Sequence, residues 1–148
     1  MDIKKSSGLI FHPTSLPGKH GIGNFGENAK TFVDYLVETN TKIWQVLPLG
    51  PTDELEYSPY SSPSSVLGNI NLIDLDNLHI QSEFTLEEDK FPSDFIDFKN
   101  VYKYKSNALY NISNSIDINE NYYQQFLNNK LIREHITFLT LNKINQNP

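Results

Sequence analysis

Glycine and proline are spread so unevenly along this 148-residue chain that they divide it in two. All seven glycines fall between Gly8 and Gly68, and six of the eight prolines precede residue 75. Glycine opens backbone conformations that tight turns need, while proline fixes φ and removes a donor. The first half is therefore a run of short elements joined by specified turns. Between Phe98 and Asn147 neither residue occurs, which favours long helices.

Hydrophobic spacing fills in that frame. Leu9-Ile10-Phe11, stopped by His12-Pro13, predicts a short buried strand. Ala29, Phe32, Val33, Leu36 and Val37 form one face of an amphipathic helix, started by Asn24 or Gly26 and stopped by Asn40. Ile43 to Pro48 is nearly all apolar and predicts a second strand, buried on both faces. Strand, helix and strand at this spacing make a right-handed βαβ unit with parallel strands. Residues 49–69 read as a long loop, and long loops after parallel strands are often functional. Leu72 to Leu75 reads as another short strand or extended piece. Two amphipathic helices follow, one over Phe98, Val101, Tyr102, Ala108, Leu109 and Ile112, the other over Tyr123 to Leu139.

Composition removes several functions. The net charge is -6, against the basic surplus that phosphate-backbone binding needs, so nucleic acid is not an expected partner. Without cysteine there is no disulfide framework, thiol catalysis or thiolate metal site. No apolar run reaches a membrane span and the first residues lack a signal-peptide core, so no membrane partner and a cytoplasmic location are expected. Generic catalytic motifs are absent. His12, His20, His79 and His135 are isolated from one another, and each reads first as a structural or exposed residue; His12, closing the first strand, has the strongest functional claim. The carboxylates Asp53, Glu54 and Glu56 sit in a loop, and Glu83, Glu87, Glu88 and Asp89 near a helix start, where the dipole favours them without catalysis. Tyr57 and Tyr60 are more suggestive. They lie beyond a strand's C-terminal end, where α/β proteins bind ligands, on a loop stiffened by Pro59. Each offers a flat apolar face and a hydroxyl, which suits a sugar ring, although packing the loop onto the fold would use the same groups.

Ser7 to Gly18 with Gly21 to Gly26, then Trp44-Gln45-Val46-Leu47-Pro48-Leu49-Gly50-Pro51-Thr52, then Ser58-Pro59-Tyr60, and finally Gly68-Asn69 with Leu72-Ile73-Asp74-Leu75 closely resemble the start of the amylomaltase family of 4-alpha-glucanotransferases. The resemblance implies an α/β fold that begins a (β/α)8 TIM barrel. Residues 1–76 would be its first βαβ unit with a substrate-side loop. Residues 77–148 would be a mainly helical insertion subdomain, the chain ending before the catalytic strands and leaving an incomplete barrel. It implies transfer of α-1,4-glucan segments between maltooligosaccharides by a retaining mechanism, with an aspartate nucleophile, a glutamate acid/base and a second aspartate. No metal or organic cofactor is implied. None of the family's catalytic motifs occurs, so no catalytic residue is assigned and the isolated chain is expected to be inactive. By the same resemblance Tyr60 stacks on the donor-side sugar, Ser58 lines that subsite, and Tyr102 belongs to an accessory glucan-binding groove. The family's Gly-Tyr-Gly-Asp-like segment before Ser-Pro-Tyr is replaced here by Asp53-Glu54-Leu55-Glu56-Tyr57. The expected partners are α-1,4-glucans, maltooligosaccharides and the remainder of the barrel. The competing readings are a stand-alone glucan-binding module and a non-catalytic piece that completes its fold on another chain.

Overall fold

The computed structural model describes residues 5–79, 91–115 and 120–146. Strand β1 (Gly8–Ile10) pairs in parallel with β2 (Ile43–Gln45), Leu9 opposite Trp44, and helix α1 (Glu27–Glu38) makes the crossover. Ser7 accepts from the Lys42 amide and Gln45 from the Phe11 amide, both at 3.0 Å, extending the ladder at each end. The βαβ unit is therefore present as the spacing predicts. Its burial is not. Ile10 is 69% and Ile43 51% exposed, and β2 stops at Gln45 rather than reaching Pro48. Among the described residues these two three-residue strands pair with no third, so their outer edges stay uncovered. The apolar face of α1 is divided for the same reason: Ala29 and Leu36 are buried, whereas Val33 and Val37 face solvent.

Local chemistry sets the ends of α1. Gly26 is its N-cap, and Asn40 adopts φ 54° just past its end. There the Thr41 amide donates to Leu36 (2.8 Å) and the Asn40 amide to Val37 (3.0 Å), the paired bonds of a Schellman cap with asparagine in the left-handed position. Beneath the helix, Phe32 packs edge-on against Trp44 with ring centres 4.9 Å apart and against Phe11 at 5.2 Å. The Trp44 indole N–H donates to the Phe11 carbonyl at 2.7 Å.

The turn after β1 is fixed by close backbone approach. A Cβ on Gly23 would overlap the carbonyl oxygens of Pro13 and Leu16, and Gly21 sits at φ 75° against the Phe91 ring. Ile22 is consequently buried between two glycines.

Of the short strand or extended piece expected at Leu72 to Leu75, no strand forms, though Ile73 is extended. A 3-10 turn (Ile70–Leu72) leads directly into the short helix α2 (Leu75–His79). Asn69 starts the turn, its Oδ1 accepting from the Asn71 amide at 2.9 Å, and Asp74 Oδ1 accepts from the Asp76 amide at 3.2 Å at the entrance to α2. Asparagine and aspartate at those positions favour local caps over ladder pairing. Helix α3 (Phe98–Ser115) packs on both, with Leu75, Ala108 and Ile112 at the centre of a small core that Leu78, Tyr104 and Leu109 flank. The last predicted helix is two, α4 (Glu120–Asn128) and α5 (Lys130–Gln146). Asn129 interrupts them, its Oδ1 accepting from the Leu131 amide at 3.1 Å as an N-cap. Glu83, Glu87, Glu88 and Asp89 lie outside the described residues.

Candidate functional site

The residues that follow β2 form a loop whose shape its own polar side chains hold. Asp53 Oδ1 accepts from the amides of Glu56 (2.7 Å) and Leu55 (2.8 Å), an Asx turn, and these two bonds hold the half-buried Asp53 carboxyl below its ordinary pKa. The Asp53 amide donates to the Ser61 carbonyl at 3.2 Å, closing the loop on itself. Ser64 Oγ accepts from the amides of Val66 and Leu67, and the Asn69 amide returns to the Leu49 carbonyl at 2.9 Å.

Within that frame, Ser58 and Tyr60 are neighbours with different duties. Ser58 Oγ accepts from the Tyr60 amide at 3.3 Å and its carbonyl from the Ser61 amide at 3.1 Å, so Ser58 shapes the turn. The Tyr60 ring is 72% exposed. It stands on the rim of an open groove of about 580 Å³ that Pro48, Leu49, Gly50, Ser62, Ser64 and Gly68 also line.

Tyr102 lies elsewhere. It does not line that groove but packs with Tyr57, ring centres 6.3 Å apart, while Tyr57 stacks on Phe98 at 5.8 Å with planes 15° apart. Burial, then the nearby Glu54 carboxylate, raises the Tyr102 phenol above its ordinary pKa, and burial with Glu54 and Asp53 does the same to Tyr57. Tyr57 holds φ 53°, a left-handed conformation costly for an aromatic residue. The stack on Phe98 accompanies it. The three candidate residues are thus divided between a rim and an aromatic cluster, with Pro59 between them.

Under Pro59 is a second, smaller cavity of about 100 Å³, lined by His12, Thr14, Tyr57, Asn69, Asn71 and Phe98 among others. His12 ends the first strand segment as expected, and its use is structural first: Nδ1 lies 2.7 Å from Thr14 Oγ1 and accepts from the Thr14 amide at 3.4 Å, starting the 3-10 turn Pro13–Ser15. Nδ1 is therefore an acceptor and Nε2 carries the proton. Burial lowers the His12 pKa, offset in part by the Pro48 carbonyl. Asn71 escaped the sequence reading, and Asn69 entered it only as part of a family-like string; the pattern that could have found them is a pair of asparagines flanking the single apolar Ile70, where local side-chain-to-backbone turns form.

His20 is buried in a different place. Its Nε2 lies 3.4 Å from Asp76, its Nδ1 3.3 Å from the Tyr104 hydroxyl, and its ring stacks on Tyr104. Burial keeps it below its ordinary pKa against the pull of Asp76.

A family model described as 4-alpha-glucanotransferase matches residues 11–148. The 4-alpha-glucanotransferase of Thermus thermophilus is 43% identical over 109 residues, which are 74% of this chain and 22% of that protein. That of Streptococcus pneumoniae serotype 4 is 45% identical over 104 residues, 67% of this chain and 20% of that one. Among solved structures, the amylomaltase from Streptococcus agalactiae in complex with acarbose is similar with a TM-score of 0.68 at 34% identity, covering 95% of this chain and 27% of that chain. The chain spans about a fifth of the length of the curated relatives it matches.

Proposed function

The chain belongs to the 4-alpha-glucanotransferase family, and from that membership we propose that it supplies the donor-side wall of a site that transfers α-1,4-glucan segments between maltooligosaccharides. The observation that carries this reading is the exposed Tyr60 ring on the rim of a groove just past the C-terminal end of a parallel strand. Ligands of α/β proteins gather at that end. An exposed aromatic face beside serine hydroxyls suits a pyranose ring, which presents C–H groups on its faces and hydroxyls around its edge. In this reading Tyr60 stacks on the donor sugar and Ser58 fixes the turn that presents it. Tyr102, with Tyr57 and Phe98, forms a second aromatic surface for a longer chain. The acarbose complex of the Streptococcus agalactiae relative supports an oligosaccharide as the ligand class.

The same reading takes β1, α1 and β2 as the first unit of a (β/α)8 barrel within residues 1–76, and residues 77–148 as a mainly helical insertion. The exposed Ile10, Ile43, Val33 and Val37 are then surfaces for the remainder of the barrel. A cytoplasmic location belongs to the same proposal. Retaining transfer requires two carboxyl groups about 5 Å apart across the scissile bond. No carboxylate of this chain is assigned to either role, so the part played by these residues is binding and orientation.

Titration of the chain with maltotriose, followed by NMR of the tyrosine rings, tests this. The Tyr60 ring signals should move first and saturate. Saturable binding that leaves Tyr60 unmoved would overturn the assignment, and absence of binding would remove the glucan site from this chain.

A further inference from the structure

Helix α3 buries a charge in its apolar stripe. Val101, Lys105, Ala108 and Ile112 follow one another at spacings of four, three and four, and all are buried, Lys105 at 0% exposure. The Lys105 ammonium donates to the Asn71 carbonyl at 2.6 Å and to the Ile73 carbonyl at 2.8 Å, bracketing the end of the 3-10 turn Ile70–Leu72. An ammonium is withdrawn from water only at substantial cost unless such acceptors meet it.

The clamped turn also carries a buried polar side chain of its own. Asn71 is 1% exposed, and its Oδ1 is buried with no hydrogen-bond partner among the described residues. His12 Nε2 also makes no hydrogen bond of good geometry, although the Pro48 carbonyl lies close enough to raise its pKa. Both residues line the small cavity beneath Pro59 and Tyr57. The residues that carry this acceptor and this N–H donor both line the same space of about 100 Å³. Buried polar atoms are almost always satisfied, by protein or by a bound hydroxyl, so this pair calls for an O–H group that donates to one and accepts from the other. At roughly 30 Å³ per water molecule the cavity admits such a group readily.

We propose that Lys105 is a positioning residue for this cavity, its ammonium clamping the turn so that Asn71 Oδ1, with His12 Nε2–H, holds a single hydroxyl, that of a bound sugar or of a water molecule. Only the sugar as occupant rests on the glucan reading; the clamp does not.

The test uses the full chain and its Lys105→Met and Lys105→Arg variants, with NMR signals of the His12 ring nitrogens and the Asn71 side-chain amide. In the native chain the Asn71 amide should exchange slowly, and maltotriose should shift both residues. Lys105→Met should keep the far-UV spectrum, speed Asn71 exchange by about tenfold or more, and abolish the maltotriose response of His12. Lys105→Arg, which keeps the charge, should restore part of each. Unchanged Asn71 and His12 signals in Lys105→Met would overturn the proposal. If the native chain ignores maltotriose but Lys105→Met still loosens Asn71, the clamp stands with water as occupant, and the glucan reading fails alone.

Should Lys105→Met not fold, the native chain titrated from about pH 7 to about pH 10 decides. Burial lowers the Lys105 ammonium to about 8, against the charge of Asp74. The other ionisable groups around it are His20 and Tyr104, with Asp76 and Lys19 behind His20. His20 and Asp76 are both held below their ordinary values and do not titrate there. A joint shift of Asn71 and His12 with a midpoint near the Lys105 value supports the clamp, and a flat response overturns it.

Discussion

A tyrosine whose ring is 72% exposed contributes little to the folded state, so replacing it separates recognition from stability. Tyr60→Ala should weaken maltotriose binding by about 1–2 kcal/mol while leaving Tm unchanged, and Tyr60→Phe should cost less because it keeps the ring face. Calorimetric titration and thermal melts of the same preparation check both; a fall in Tm without a loss of affinity would make Tyr60 a packing residue. Lys105 has the opposite profile. Lys105→Met strands two buried carbonyls at about 1–3 kcal/mol each, less the cost of burying the ammonium that the variant no longer carries. Its folded pKa of about 8 lies below the ordinary 10.5, so the unfolded chain binds more protons between those values and stability rises with pH across that window. The native chain should therefore gain on Lys105→Met by up to roughly 3 kcal/mol between about pH 8 and about pH 10.5, measured by urea unfolding at each pH. His12 and His20 act on the acid side. Burial lowers both, so both are stabilising in the neutral form, and the contribution falls away as pH drops below 6.5 through their lowered values. His20→Gln should flatten that slope.

At the scale of an element, α1 shows which apolar positions hold the fold. Leu36 is 5% exposed and Val37 72%, although both belong to the face the periodicity predicts. Leu36→Ala should cost about 2–3 kcal/mol and Val37→Ala almost nothing. Asn40→Ala should cost about 1 kcal/mol, since alanine resists the left-handed cap that Asn40 adopts. All three are read from denaturant midpoints. The same helix marks how far the sequence was legible. Its 3.6-residue period and its Gly26 and Asn40 boundaries are local signals, and the structure agrees with them. Burial is a tertiary property, and nothing in Leu9-Ile10-Phe11 or Ile43 to Pro48 reveals how many strands cover them. At Leu72 to Leu75 a short apolar run concealed a capped turn, because Asn69 and Asp74 satisfy the backbone locally. At Asn129 one capping side chain divides an otherwise continuous helical pattern. For the site, the Ser58-Pro59-Tyr60 turn was visible as a string, but the cavity behind it depends on a lysine from a helix more than thirty residues away. Its one signal was a lysine on an apolar stripe.

The whole molecule exposes 11169 Å², against roughly 7,700 Å² for a compact monomer of its mass. The excess includes apolar side chains on the sheet, on α1 and on α5, among them Ile10, Ile43, Val37, Leu131 and Ile144. Self-association is the expected result, with sedimentation shifting to larger species as concentration rises. A concentration-independent monomer with a sharp two-state melt would show that these surfaces need no cover. In disproportionation assays the 148-residue chain should release no glucose from maltotriose above a blank, since no carboxylate pair is assigned in it. One further consequence follows from the pairing of Leu9 with Trp44. These partners meet only after the intervening chain has closed into a loop, a step whose entropy must be met before the contact returns anything. Helices such as α1 and α3 need no such closure. Trp44 is the single tryptophan, and its indole bonds to Phe11 and rests on Phe32, so its fluorescence clocks the docking of β1 on β2. In stopped-flow refolding that signal should trail the helical far-UV signal, making the slow step of this chain visible without a label.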